Sequence, residues 1–439
     1  MSLIEPRTLK GFRDYPPALM IPRERMLETA RRVFRSYGFA PIDTPALEYA
    51  EILTGKGGEE SDRLIYQFKD HGGREVALRF DLTVPFARFA AQHIGQIGTP
   101  FKRYHMGPVW RGENTAHGRY REFWQCDFDL IGTTSNAADI EIALVIHDLM
   151  TALGFERFSI RINNRLVLNG LLESLGLADR AVPLLRALDK LPKIGAEKVR
   201  EEMQKTARVS DEQSIQVLAL AQIQGDNDTI LDRLQTDYGN NHRTADGIDR
   251  LRELLRVAHE VGIPAERLSI DLAICRGLDY YTGTIYETFL LDKPDIGSVC
   301  SGGRYDNLAS LYSKQQLPGV GASLGLDRLL AAMEELGLLS QASTPAPVLV
   351  VQFEPSRLGA YQNLARRLRA VGIGTEVFPE PKKIGAQLQY AERRGFKIAL
   401  IAGSDEFAQG RWKIKHLATR EETTVAEAEV VDRIRALLA

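Results

Sequence analysis

Two strand-like segments, FKRYHMGPVW (101–110) and REFWQCDFDLIG (121–132), constrain this chain more than any other part of it. They flank a polar stretch, RGENTAHGRY, and so predict an antiparallel hairpin with an unusually long loop. Ahead of them, PRERMLETARRVFRSYGFA (22–40) reads as an amphipathic helix with Met26, Leu27, Ala30, Val33 and Phe34 on one face and Gly38 as its stop. From about 166 to 260 the patterns turn helical (RAVPLLRALDKL, SIQVLALAQI, GIDRLRELLRVAHEVG), broken by GDND and YGNN. Strand character then resumes with LSIDLAI (268–274), GTIYETFLL (283–291) and GSVCSGG (297–303), so the helical stretch reads as an inserted module. DRLLAAMEELGL (327–338) is a helix, and QASTPAP (341–347) a linker. The last hundred or so residues alternate strand and helix, from VLVVQF through to VVDRIRALL, which predicts a small, mostly parallel α/β domain.

Composition prunes the function classes. At 439 residues the chain is long enough for about three domains of ~150 residues. With 44% hydrophobic and 26% charged residues it is an ordinary globular protein, neither disordered nor of low complexity. The formal net charge of −2 advertises no nucleic acid, but residues 344–439 carry 15 basic and 11 acidic side chains, a local +4 that leaves −6 for the rest. Three cysteines without a C-x-x-C fit a reducing compartment and make neither a disulfide framework nor a zinc site. No apolar run approaches the ~18 residues of a membrane span, and MSLIEPRTLKGFRDYPP has no apolar h-region, so a soluble, cytoplasmic protein is expected.

The usual phosphate cradles are missing: there is no G-x-x-x-x-G-K-[ST], and no G-x-G-x-x-G follows a strand. Gly321-Ala-Ser323-Leu-Gly325 matches the G-x-S-x-G nucleophile elbow of serine hydrolases. Its context, SKQQLPGV, is polar and proline-containing, so a glycine-lined strand packed against the helix that carries Asp327 is the better reading. The positive signal is a set of arginines on separate β-type elements with glycine nearby: Arg111, Arg119, Arg121, Arg276, Arg304 and Arg328. Arginine presents a planar, permanent fork that matches phosphate and carboxylate oxygens, and glycine lets a ligand approach the backbone. Any one of them alone reads best as a surface ion pair; six together favour a joint nucleotide site. Tyr280 and Tyr281 read either as strand filler or as the wall of a pocket, and Asp81 and Thr83 either as a helix cap or as a site. Cys126 and Cys275 read as inert core thiols, and neither His105 nor His117 has metal-ligand spacing.

Taken together, these segments resemble the class II aminoacyl-tRNA synthetases, and within them the histidyl-tRNA synthetase family, over nearly the whole chain. GFAPIDTPALE (38–48), with Pro45, is similar to the first class motif, a dimer-interface segment; 101–132 is similar to the second and GASLGLDRLL to the third. RGLDYYTGTIYE (276–287) and SGGRYDNL (301–308) match the two signatures peculiar to the histidine enzymes. The resemblance implies an α+β fold: an antiparallel class II sheet flanked by helices (1–165 and 261–340), a helical insertion (166–260), a linker (341–347) and a C-terminal α/β anticodon-binding domain (348–439).

It also implies a reaction in which the carboxylate of L-histidine attacks the α-phosphorus of ATP, followed by transfer to tRNA(His). Arg111 and Arg276 would be the catalytic pair on the α-phosphate. Glu113, Arg119, Phe123 and Arg328 would complete the ATP site, with Mg²⁺ on the outer phosphates and no metal held by protein side chains. Histidine would meet Asp81 and Thr83 at its ammonium, Gln125, Arg111 and Arg276 along its length, and Asp129 and Tyr281 at the imidazole nitrogens, with Tyr280 and Tyr305 completing the wall. Asp81 and Asp129 stand where many relatives carry Glu, one methylene longer, and the loop Glu113–Gly118 holds no Lys or Arg with which to touch the acceptor end of the tRNA. Arg393-Arg394, Lys397 and Arg411-Trp412-Lys413 would face the anticodon loop. A homodimer is implied. The alternative within this resemblance is a catalytically silent synthetase-like subunit that senses histidine. Such subunits generally lack the C-terminal domain and erode the arginine set, and this chain keeps both.

Overall fold

The computed structural model describes residues 3–55, 59–274, 280–339, 343–352 and 354–438. The long hairpin forms as its residues dictate. Phe101–Trp110 pairs antiparallel with Glu122–Ile131 over all ten positions, Phe101 opposite Ile131 and Trp110 opposite Glu122. It lies within an eight-stranded sheet, in the order Ala40–Pro41, Phe101–Trp110, Glu122–Ile131, Gly319–Gly325, Cys300–Tyr305, Thr284–Leu290, Phe158–Asn164, Leu268–Ile270. Only the two outermost pairings are parallel; the five between them are antiparallel.

Because side chains alternate across a strand, the hairpin has two chemically different faces. Tyr104 and Phe128 lie on one, where Phe34 packs with ring centroids 5.6 and 4.9 Å away. Phe34 belongs to the helix Pro17–Ser36, whose apolar stripe of Met26, Leu27, Ala30, Val33 and Phe34 is buried. Burying each large member of that stripe contributes roughly 1.5–3 kcal/mol. The helix begins five residues before residue 22, because Pro17 suits a first helical position whose N–H has no partner to lose. It is followed by Gly38 at φ +79°, a left-handed conformation that glycine takes without strain. On the other face lie Arg103, His105, Gln125, Asp127 and Asp129, opposite the helix Thr83–Ile97.

Helices occupy most of 165–260, from Arg165–Ser174 to His242–Glu260. The strand expected over 268–274 stops at Ile270, since Asp271 turns the chain by accepting the Ala273 N–H on its carboxylate (3.1 Å) and the Ile274 N–H on its carbonyl (3.2 Å). Residues up to Arg13 together with Met26–Leu336 form one compact unit, and Asp14–Arg25 with the residues from Gly337 onward form another.

The second unit holds a five-stranded sheet in the order Thr375–Val377, Val348–Val350, Ile398–Ile401, Arg411–His416, Glu422–Ala426. The expectation of a mostly parallel sheet is corrected here: the last two pairings are antiparallel. Their connections are too short for a parallel crossover, which needs about a dozen residues or more. The strand Glu422–Ala426 escaped notice because its side chains are exposed apart from Val425. Trp412 is 1% exposed, packed against Tyr361 and Phe407 at 6.0 and 5.6 Å, so it supports the core and is not available to stack on RNA bases.

Candidate active site

The polar face of the hairpin continues across the sheet as two rows set by strand register. His105, Asp127, Ser323, Ser301 and Glu287 stand side by side on five adjacent strands. The next row runs Arg103, Asp129, Gly321, Gly303, Ile285. Its glycines make room for side chains that lie across them. A Cβ at Gly321 would fall 2.2 Å from Asp129 Oδ1, and one at Gly303 would fall 3.0 Å from Tyr281 Cδ1.

Two adjoining cavities open over this floor. One, of about 170 Å³, is lined by Arg111, Glu113, Arg119, Tyr120, Phe123, Asp327 and Arg328 among others. The other, of about 270 Å³, is lined by Asp81, Thr83, Tyr280, Tyr281, Ile285, Tyr286 and Glu287 among others. Arg111, Gln125, Ser298, Ser301, Ser323 and Arg328 line both, so the two spaces share a wall of two guanidiniums and four small polar side chains.

The first cavity is cationic and aromatic. Arg111 lies with its guanidinium carbon 4.2 Å from the Phe80 ring centroid and 5.1 Å from that of Phe123, and its Nε donates to Phe80 O at 3.0 Å. Burial lowers the Arg111 pKa, opposed by Asp81 and Glu113, but arginine stays charged. Arg119 is paired with Glu113 through Nε at 2.8 Å and Nη2 at 2.6 Å. Arg328, on the helix Leu326–Glu335, donates from Nη1 to Ser298 O at 2.7 Å. Its neighbour Asp327 accepts the Trp124 N–H at 2.8 Å and so ties that helix to the hairpin.

The second cavity offers acceptors. Asp81 Oδ1 accepts the N–H groups of Thr83 (3.1 Å) and Val84 (2.9 Å), so one carboxylate both caps the helix Thr83–Ile97 and lines the cavity. Burial raises its pKa, against the pull of those amides and of Arg111. Gln125 Nε2 donates to Ser323 Oγ at 2.9 Å. Gln125 Oε1 is buried with no hydrogen-bond partner among the described residues, as is Asp127 Oδ1 behind the lining, while Asp129 Oδ2 faces Arg103 Nη2 at 2.7 Å. Burial pushes the Tyr280 and Tyr281 phenols up, which leaves them protonated donors. Buried acceptors beside buried phenols suit a ligand that brings both N–H donors and an acceptor.

The residues singled out in the sequence divide as follows. Arg111, Glu113, Arg119, Phe123 and Arg328 line the first cavity, and Asp81, Thr83, Arg111, Gln125, Tyr280 and Tyr281 line the second. Asp129 and Tyr305 line neither: the Tyr305 hydroxyl donates to Asp129 Oδ1 at 2.5 Å, with its ring behind Tyr280, centroids 6.0 Å apart. Arg276 and Cys275 lie outside the described residues. Arg304 is 3% exposed and pairs with Asp139 (0% exposed) and Asp306, so it is a structural ion pair rather than part of the arginine set. Arg121 turns toward the N-terminal segment, its Nε donating to Glu113 O and its amide to Gly11 O.

Ser323 sits within an antiparallel strand and not at an elbow, as its context predicts. Cys126 and Cys300 are buried, and burial raises the Cys300 thiol. His105 is held neutral, its pKa lowered to about 3 by burial and by Arg103 and Arg79. Among the described residues no cluster of three or more His, Cys, Asp or Glu could hold a metal ion. Sequence reading missed Ser298, Ser301, Glu287, Asp327 and Tyr120; the signal for Ser301 and Asp327 was their place inside the SGGRYD and GLDRLL runs.

Comparison with known proteins gives the family. Residues 11–329 match the family described as Histidyl-tRNA synthetase, and residues 348–437 match the one described as Anticodon binding domain. The chain is 61% identical to a histidine–tRNA ligase of Rhodopirellula baltica, over 97% of this chain and 96% of the relative. It is 44% identical to one from Wolinella succinogenes over 99% and 98%. The crystal structure of histidyl-tRNA synthetase from Nostoc sp. PCC 7120 superposes with a TM-score of 0.90 at 35% identity, covering 99% of this chain and all of that one.

Proposed function

Since the chain belongs to the histidyl-tRNA synthetase family, we propose that its two adjoining cavities divide that enzyme's first half-reaction, ATP in the one walled by Arg119 and Phe123 and L-histidine in the one walled by Tyr280 and Tyr281. The activity is that of a histidine–tRNA ligase. The histidine carboxylate forms a bond to the α-phosphorus, the bond to the bridging oxygen breaks, and pyrophosphate leaves with the electron pair. Histidine is then transferred from the adenylate to the 3′ end of tRNA, releasing AMP. A silent regulatory subunit is not favoured, because an anticodon-binding domain and the cavity arginines are both present.

The observation that carries this reading is the shared wall: Arg111 and Arg328, far apart in sequence, border both cavities. A guanidinium there can neutralise an α-phosphate and orient the attacking carboxylate, which is how phosphoryl transfer proceeds without a protein nucleophile. The family resemblance gives Arg276, outside the described residues, the role of Arg111's partner on the α-phosphate, while Arg119 and Arg328 hold the outer phosphates. Phe123 stacks on the adenine and Glu113 accepts from its amino group. Mg²⁺ travels with the nucleotide. Arg119 engages Glu113 at Oε2, leaving Oε1 for the adenine, and the Trp124 amide engages Asp327, so the ion would be held chiefly by phosphate oxygens, whose charge it would neutralise. Asp81 and Thr83 take the α-ammonium of histidine, Gln125 its flank and Tyr281 one ring nitrogen; the resemblance assigns the other to Asp129, which lies behind the cavity lining. Tyr280 and Tyr305 brace them. An amino acid without the imidazole donor and acceptor would leave buried groups unpaired, which is the source of selectivity.

The basic C-terminal domain binds the anticodon of tRNA(His), and the enzyme works in the cytoplasm, where its tRNA is. Among the described residues no helix is long and apolar enough to cross a membrane. A homodimer is supported by the small sheet of Leu47–Tyr49, Gln67–Lys69 and Glu75–Leu78, which exposes Leu47, Tyr49 and Phe68 next to the first class motif. The decisive experiment is ATP–pyrophosphate exchange with each of the twenty amino acids, followed by charging of tRNA(His). Exchange with histidine alone is expected. Exchange that ignores histidine, or that Arg276→Ala leaves untouched, would overturn the assignment.

A further inference from the structure

Under the floor of the second cavity lies a charged cluster that the reaction as described does not use. Arg103 has no exposed surface, and its guanidinium carbon sits 4.3 Å from the Phe86 ring centroid. Its Nη2 is 2.7 Å from Asp129 Oδ2, 3.9 Å from Asp127 Oδ2 and 3.2 Å from Leu82 O. Asp127, 1% exposed, stands between Gln125 and Asp129 on the same strand face. Its Oδ2 accepts from the Thr83 hydroxyl at 3.4 Å, and it has a hydrogen bond with the Ser323 side chain. Ser323 in turn accepts from Gln125. One guanidinium and one carboxylate therefore touch Asp129, Thr83 and Ser323, and Gln125 through Ser323, while lining neither cavity.

We propose that Arg103 and Asp127 form a positioning hub for amino-acid recognition, setting the affinity for histidine through the side chains they hold rather than by touching the substrate. The inference rests on the histidine assignment of the second cavity made above. Arg103 grips Asp129 by one oxygen while Tyr305 grips the other, so the carboxylate has a single orientation, with lone pairs left for an imidazole N–H. Asp127 shares the same guanidinium, and two buried carboxylates on one cation are a marginal balance. Removing the cation leaves them facing each other; removing Asp127 as well relieves that repulsion.

Asp127 and Arg103 are therefore coupled, as any buried ion pair is, and a double-mutant cycle read in the histidine KM separates a positioning pair from a merely structural one. Pyrophosphate exchange is measured with wild type, Arg103→Met, Asp127→Asn and the double variant, varying histidine and ATP separately. Loss of one charged hydrogen bond predicts that Arg103→Met raises the histidine KM by about tenfold or more, with the ATP KM within about twofold. Adding Asp127→Asn should recover about threefold or more of the loss, by the relief of like charge. Arg103→Lys, which keeps the cation but not the fork, reads the same split should Arg103→Met fail to fold, with a smaller rise in histidine KM expected. Equal rises in both KM values, an unchanged histidine KM, or no recovery in the double variant would overturn the hub. If wild type itself shows no histidine-dependent exchange, the ligase reading fails and the hub with it; if only the variants defy expectation, the hub alone falls.

Discussion

Asp81 caps a helix and, in the function proposed, grips the histidine ammonium, and two substitutions divide the two. It is 4% exposed, caps the helix Thr83–Ile97 through Oδ1, and lines the cavity assigned to histidine. Asparagine retains a capping oxygen of the same reach, so Asp81→Asn should keep the cap and remove only the charge. A hydrogen bond to a charged partner contributes about 1.5–3 kcal/mol, which converts to a rise of roughly 10- to 150-fold in the histidine KM if Asp81 grips the ammonium. Asp81→Ala should show that rise and also lose about 1 kcal/mol of stability with the cap. The assay is pyrophosphate exchange under varied histidine at saturating ATP and then the reverse, alongside thermal unfolding. The expected pattern is a raised histidine KM in both variants, an unmoved ATP KM, and a lowered Tm in the alanine variant alone. An Asp81→Asn enzyme with histidine KM within about threefold of wild type, a loss under ~0.7 kcal/mol, would refute the ammonium contact and leave Asp81 as a cap.

Two further outcomes follow from the buried charges. Arg304→Met strands Asp139 in the interior and should cost about 3–5 kcal/mol of stability, seen as a lower unfolding midpoint, while folded enzyme keeps its KM values. A loss confined to activity would put Arg304 back in the arginine set. Asp127 is raised from the usual carboxylate range to about 7, first by burial and then by Asp129 and Asp81, against Arg103 and Ser323. The folded state therefore holds the proton longer than the unfolded chain, and ionising Asp127 costs stability progressively as pH rises from ~4 to 7. Asp127→Asn should gain on wild type across that window in denaturant titrations, and a constant difference between the two would refute the shift.

The sequence was most legible where chemistry and periodicity coincide. The hairpin 101–132 announced its strands because both segments have strand character and flank a polar loop, and the helix around Phe34 because its stripe repeats at helical spacing. Arginines 111, 119 and 328 were legible only as members of a set, since any one alone reads best as a surface ion pair, and Arg121 and Arg304 of that set are engaged elsewhere. What composition and motif could not supply was direction. The helix start at Pro17, the antiparallel end of the C-terminal sheet and the buried Trp412 were all settled by packing and connection length, which local texture does not encode.

Direction in a sheet is nonetheless a matter of parity, and parity sorts the residues that motif matching blurred. Ser301 and Gly303 share the cavity-side rows with Asp127 and Asp129, so Arg304, one residue on, must point to the opposite face, where Asp139 of the helix Asn136–Ala152 meets it. An arginine inside a signature run is thereby excluded from the arginine set by counting alone. The same count run along the hairpin works in the other direction. Gln125 and Asp129 were singled out as contacts, and Asp127 lies midway between them at the spacing of two that places all three on one face. The register then sets His105 opposite Asp127 and Arg103 opposite Asp129. A buried arginine and a second carboxylate under a binding site are expensive to fold, so a chain that places both there at matched register is spending stability on position.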